Sequence, residues 1–166
     1  ARGRATSGKL AAVRAPLGAG PAGCLGGAVR RTPRDMRRDY GACHCERCRR
    51  WTGAAFVSVP VPAERVEVAG SEAIGRLQSS AWAERAWCTR CGAGLWYRVT
   101  APGTAGHGDY EIPIGLLDDP NGLAFRNEIF ADCRPDTLTF EGMAGRETLT
   151  RAETFAKFAP TEEGQA

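Results

Sequence analysis

No stretch of this sequence approaches the ~20 consecutive apolar residues that a membrane helix needs, so a membrane span is not expected. The N-terminus shows no short apolar core of the kind that directs secretion, and the seven cysteines cannot all pair with one another. Together these absences argue against a disulfide framework and favour metal-bound thiolates in a reduced, cytoplasmic setting. Histidine is scarce, at two residues. Gly and Pro total 31 of 166 residues, below the ~25–30% at which a packed domain becomes doubtful. A single domain of this length buries roughly 70% of its unfolded surface and needs no covalent staples.

What is present is unevenly spread. Residues 1–50 carry 12 basic and 3 acidic side chains, residues 51–100 carry 5 and 4, and residues 101–166 carry 5 and 12, for a net charge of +3. A basic first third can meet an anionic ligand, a nucleic acid or the acidic last third, and the last of these is the default. Residues 1–23 include 14 Ala, Gly or Pro, four bases and no acid, with Leu10, Val13 and Leu17 as the only large apolar residues. That composition reads as a disordered basic tail over residues 1–22, or as an Arg-rich targeting segment with one helical face. A domain is expected over 23–158 and a short C-terminal tail over 159–166.

Within the domain, short strands dominate. Phe56–Val61 and Arg65–Val68 flank Pro62, Ala63 and Glu64 and read as a hairpin. Gly94–Val99 and Tyr110–Ile114 alternate, with Leu95, Tyr97 and Val99 on one side of the first and Tyr110, Ile112 and Ile114 on one side of the second. Pro102, Gly103, Gly106 and Gly108 make the intervening segment a loop. Thr150 and Glu153 have capping-box spacing ahead of a short C-terminal helix carrying Phe155 and Phe158 and stopped by Pro160, with Leu149 just before it. The expected fold class is mainly β.

The cysteines carry the chemistry. Cys43, Cys45 and Cys48 lie close together, and Cys88 and Cys91 form a second C-x-x-C. Such pairs place two sulfurs on one turn at metal-binding distance, and sulfur donors favour zinc. Cys45, Cys48, Cys88 and Cys91 could form one closed, structural zinc ribbon. Cys43 argues for another arrangement. In an extended segment Cys43 and Cys45 share a face and His44 points away, and Cys48 then completes a three-sulfur set with an open fourth position, as in catalytic zinc sites. Cys24 is then the candidate third ligand for Cys88 and Cys91, with a fourth missing.

The runs Cys24–Arg30, Cys43-His-Cys-Glu-Arg-Cys-Arg49 and Trp87–Leu95, followed by Ile114–Pro120 and Glu128–Asp136, resemble the glutathione-dependent formaldehyde-activating enzyme family, which includes centromere protein V. The resemblance runs from about Gly23 to Phe158. It implies a zinc-binding β-tent-like fold of short antiparallel sheets, with a catalytic zinc on Cys43, Cys45 and Cys48. It also implies a structural zinc on Cys24, Cys88 and Cys91, whose fourth ligand is replaced by Gly26. The implied activity is that of a carbon-sulfur lyase joining glutathione, or a related thiol, to formaldehyde as S-hydroxymethylglutathione. Arg47 and Arg49 are the candidate contacts for the substrate carboxylates. Cys133 is expected to be a buried free thiol, His107 solvent-exposed, Asp118 and Asp119 turn formers, and the four tryptophans mostly core. The competing function is a non-catalytic zinc module that binds nucleic acid or protein through residues 30–50, where eight arginines face three acids. Nucleic acid is the less expected partner, because Tyr40 is the only aromatic there for stacking on bases.

Overall fold

A computed structural model describes residues 21–34, 36–141 and 145–158. The face formed by Leu10, Val13 and Leu17, together with Pro160 and the C-terminal tail, lies outside the described residues. The first strand opens at Ala22, which is fully buried, one residue ahead of the boundary expected from composition.

Eleven strands and two α-helices build the domain among the described residues. In chain order they are β1 (Ala22–Gly23), β2 (Arg30–Pro33), β3 (Asp39–Cys43), α1 (Glu46–Thr52), β4 (Phe56–Val61), β5 (Val66–Ala69), β6 (Ile74–Ser80), β7 (Ala83–Cys88), β8 (Gly94–Val99), β9 (Tyr110–Pro113), β10 (Ala124–Ile129), β11 (Glu147–Leu149) and α2 (Arg151–Phe158). Among the described residues they form a three-stranded sheet, β1-β2-β5, and an eight-stranded sheet, β11-β10-β3-β4-β9-β8-β7-β6. The fold is mainly β, as expected. Its pairings are antiparallel except where β10 runs parallel to β3 and to β11.

The predicted hairpin over 56–68 does not form. β4 is bonded on one side to β3 and on the other to β9, whereas β5 pairs with β2 in the small sheet. Pro62 and the 3-10 turn Ala63–Arg65 separate the two strands. Both edges of β4 are already taken, so the chain crosses to the other sheet at this turn.

Cross-strand partners share a sheet face, as do residues i and i+2 along a strand. Val59 opposite Ile112, Val61 opposite Tyr110 and Ala86 opposite Trp96 therefore make one face, which packs inward as the core. Into that core the small sheet sends Arg31, whose guanidinium lies 3.8 Å from the Trp96 ring centre and 5.3 Å from that of Tyr110. Burial lowers its pKa to about 10. The opposite face carries Cys43, Gly41, Ser58, Pro60, Glu111, Tyr97 and Arg85 in adjoining ladder positions. That face is the floor of a cleft.

The capping box forms as expected. Glu153 Oε2 accepts from the Thr150 amide at 2.8 Å, and Thr150 Oγ1 accepts from the Glu153 amide at 3.3 Å. Behind it, Phe155 meets Phe130 edge-on at 5.4 Å, docking α2 beside the end of β10. Thr150→Ala should lower the unfolding free energy by about 1 kcal/mol in urea titration, while Thr150→Ser should match the native chain, since the hydroxyl does the capping.

Candidate metal centre

The sulfurs assemble into two separate triads, Cys43/Cys45/Cys48 and Cys24/Cys88/Cys91, with the Sγ atoms of each within 4.8 Å of one another. A tetrahedral zinc with sulfur ligands at ~2.3 Å needs an S···S edge of ~3.8 Å, so both clusters suit a thiophilic ion. The single ribbon of Cys45, Cys48, Cys88 and Cys91 is thereby excluded, because its two pairs fall in different clusters.

The first triad forms where a strand meets a helix. Cys43 ends β3, Cys45 is the N-cap of α1, and Cys48 lies in the first turn of that helix. The Cys48 amide donates to Cys45 Sγ at 3.4 Å, and Arg85 Nη2 donates to Cys48 Sγ at 3.7 Å. The thiols are coupled. Hydrogen bonds from Cys43 and Cys48 hold Cys45 far below the usual thiol range, while its bond with Cys45 drives Cys43 well above it.

His44 points away from the sulfurs, as the extended segment requires. It is fully buried, with Nε2 2.8 Å from Glu128 Oε1. Burial lowers the His44 pKa, so the neutral ring donates through Nε2. Glu128 also accepts from Arg134 at 2.7 Å and Arg146 at 3.1 Å. Burial opposes its charge, but these bonds outweigh it and leave its pKa below the ordinary glutamate value. The network ties the cysteine-bearing segment to β10 from beneath.

Above the triad opens a cleft of about 810 Å³, within the ~300–1,000 Å³ of small-molecule sites. Its lining includes Cys43, Cys45, Cys48, Arg37, Arg47, Trp82, Arg85, Tyr97, Glu111, Arg126 and Arg151. Glu111 Oε2 accepts from Ser58 Oγ at 2.7 Å. Burial, reinforced by Asp109 and Asp39 and opposed by Ser58 and Arg37, pushes its pKa up to about 7. A carboxyl in that range can hold or release a proton at neutral pH.

The two arginines predicted as substrate contacts separate. Arg47 lines the cleft, bonding the Ser79 carbonyl, with its guanidinium 5.8 Å from the Trp82 ring centre. Arg49 Nε donates to the His44 carbonyl at 3.0 Å, and its side chain lines a different, shallower depression. Of the other arginines of the basic segment, Arg30 pairs with Asp118, Arg34 with Glu67, Arg37 with Asp39 and Arg50 with Glu46. Arg30–Asp118 is a bridge from the basic first third to the acidic last third, Arg34–Glu67 joins the end of β2 to β5, and the other two close locally. With Arg31 buried as well, the segment is not a bare cationic stripe.

The second triad takes Cys24 from the loop after β1, Cys88 from the end of β7 and Cys91 from the following turn. The Val29 amide donates to Cys24 Sγ at 3.3 Å. Main-chain amides of Ala93 and Gly26 bond the Cys91 sulfur, lowering its pKa to about 7. Gly26 stands where the resemblance implies a fourth ligand. A Cβ there would lie 3.2 Å from Cys91 Cβ and 3.7 Å from Cys91 Sγ.

Cys133 belongs to neither cluster. It is half-exposed rather than buried, 3.4 Å from Arg151 Nη2, because it sits in a short turn at the surface end of β10. His107 is exposed, in the loop before β9. Asp119 caps a turn through the Asn121 amide at 3.0 Å, and Asp118 pairs with Arg30. Trp96 is core, but Trp82 lines the cleft and Trp51 packs on Phe56 at 5.3 Å. Arg85, Ser58, Glu111 and the His44–Glu128 pair were not singled out from sequence. For Glu111 a signal existed, since the alternation that turns Tyr110 and Ile112 inward must turn Glu111 to the other face.

Over 107 residues the chain is 31% identical to a Schizosaccharomyces pombe protein named an uncharacterized lyase, covering 64% of this chain and 74% of that one. A solved structure of a Rhodobacter sphaeroides protein aligns with a TM-score of 0.49 at 21% identity, over 59% of this chain and 87% of that one. Residues 21–133, which include both sulfur triads, match the family described as glutathione-dependent formaldehyde-activating enzyme. By that match, which covers more than half its length, the chain belongs to the glutathione-dependent formaldehyde-activating enzyme family.

Proposed function

We propose that the chain is a zinc-dependent carbon-sulfur lyase that makes and breaks the adduct between glutathione, or a related thiol, and formaldehyde. The observation that carries this reading is the three-sulfur cluster on the floor of a cleft that also holds arginines and a carboxyl with a raised pKa. Cys43, Cys45 and Cys48 would hold the zinc, which when bound supplies a Lewis acid able to keep a thiol deprotonated or to polarise a carbonyl oxygen.

The remaining work falls to the chain's own groups. Arg37, Arg47 and Arg126 line the cleft and suit the two carboxylates of glutathione, because guanidinium donors match carboxylate oxygens in pairs. Trp82 and Tyr97 supply apolar wall. In the addition direction the thiolate sulfur bonds to the formaldehyde carbon. The C=O π pair moves onto oxygen, and that oxygen takes the proton of the Glu111 carboxyl. The proton released by the thiol to solvent restores Glu111. Cleavage runs the same path backwards, with the Glu111 carboxylate accepting the hydroxyl proton as the C–S bond breaks.

The pH dependence has the same sign in the two directions, because thiol and formaldehyde combine with no net release of a proton below the thiol pKa and the equilibrium constant fixes the ratio of the two kcat/KM values. Glu111 titrates at about 7, so kcat/KM for addition and for cleavage should both rise toward that pH and level off above it. Glu111→Gln should lower both by roughly 100-fold, the low end for a lost general acid or base, and flatten both limbs. The reading itself is tested by 13C exchange spectroscopy on formaldehyde and glutathione. Exchange into the adduct should rise above the buffer rate in proportion to added protein and return to the buffer rate after chelation, and a rate indifferent to the protein would refute it.

A further inference from the structure

We propose that the Cys24/Cys88/Cys91 cluster is an open zinc site whose fourth position, beside Gly26, faces solvent and takes a small exogenous thiolate. Three sulfurs define three corners of a tetrahedron. Among the described residues no other Cys, His, Asp or Glu joins them, so none of these residues fills the last corner. Gly26 borders that corner, since a Cβ built on it would stand 3.7 Å from Cys91 Sγ.

Access to the corner is open. Leu25, Gly26 and Gly27 are exposed, Leu25 to 89%, while Cys24 and Cys88 are buried beneath them. A ligand reaching the fourth position must therefore come from the solvent side. The exposed Leu25 side chain offers an apolar wall for the carbon atoms of a small thiol.

The cluster's chemistry favours a thiolate there. Main-chain amides already point at the sulfurs: Val29 N donates to Cys24 at 3.3 Å, and Gly26 and Ala93 donate to Cys91. Such donors draw charge off the sulfurs, so three of them leave a bound zinc electrophilic enough to accept a fourth. Zinc is soft enough to prefer sulfur to a carboxylate or water oxygen at that position. This inference stands apart from catalysis at the first triad, because its readout is spectroscopic and needs no turnover.

The test is Co(II) substitution in a Cys45→Ser chain, which silences the first triad so that the second one reports. Titration with 2-mercaptoethanol should raise the sulfur-to-cobalt charge-transfer absorbance by about one third, as three sulfurs become four. Gly26→Cys in the same chain should reach that absorbance without added thiol and hold zinc at least ~100-fold more tightly against a chelator. Gly26→Ala adds the Cβ without a sulfur and should do neither, which separates ligation from crowding against Cys91. A spectrum that already shows four sulfurs, or that does not respond to the thiol, would overturn the proposal. The thiol titration on the Gly26 chain decides the matter even if Gly26→Cys fails to fold.

Discussion

Cys45→Ser is expected to abolish zinc binding at the first triad and to cut thiol–formaldehyde exchange by more than ~100-fold, while leaving the protein folded. The estimate is a lower bound, since losing even an outer partner of a metal ligand typically costs ~10–100-fold. Cys45 is one of the three sulfurs that would hold the ion as thiolates. Serine cannot take that role, because a hydroxyl does not ionise near neutral pH. Serine can take the other role of this residue. Cys45 is the N-cap of α1, accepting from the Cys48 amide at 3.4 Å, and serine is among the best N-cap residues. Atomic emission should show one zinc equivalent lost, with the unfolding midpoint of the metal-free chains unchanged. An equal zinc content in both proteins would remove Cys45 from the ligand set.

Glu128→Ala is expected to destabilise the fold by roughly 3–5 kcal/mol, the usual cost of leaving buried charges without their partner. Glu128 is fully buried and binds His44, Arg134 and Arg146 together. Its loss strands two guanidinium groups and the His44 ring, whose Nδ1 already has no partner among the described residues. The pH dependence has a definite sign. The folded-state pKa of Glu128 lies below its ordinary value of 4.5, so its contribution is full above that value and disappears as pH falls through the folded pKa. The gap between the native and variant proteins in urea should therefore narrow in acid. His44 costs both proteins stability in acid, because burial holds it neutral in the fold while the unfolded chain protonates it below about 6.5. A variant as stable as the native chain would show that the network does not anchor the cysteine segment.

The sulfur clusters were legible because ligand geometry is local. C-x-C and C-x-x-C spacings bring sulfurs together whatever the surrounding fold, whereas Cys24 joins Cys88 and Cys91 only through the fold and is assigned by its glycine-rich setting and the family resemblance. The strands at 94–99 and 110–113 and the Thr150–Glu153 box were legible for the same reason, since each is written within a few residues. What failed is what depends on partners distant in sequence. The apolar runs at 56–61 and 66–69 look like a hairpin, yet nothing local says that β4 has both edges occupied or that β5 joins the other sheet. Arg85 reaches Cys48 across 37 positions, and His44 reaches Glu128 across 84, so neither contact has a local signature. The alternation in β8 was seen, but Tyr97 and Val99 line the cleft and the core side is held by Trp96. A register shift between Ala86 and Trp87 in the ladder with β8 lets both Leu95 and Trp96 be buried, which no strict period of two anticipates.

The central claim is that the Cys43/Cys45/Cys48 cluster carries thiol–aldehyde chemistry, and magnetisation-transfer NMR on zinc-loaded protein tests it most directly. With 13C-formaldehyde and saturating glutathione, the native chain should transfer magnetisation between the free aldehyde and the adduct faster than buffer, and Cys45→Ser should fall back to the buffer rate. Equal transfer by the two proteins, or no transfer above buffer by the native chain, would contradict the account.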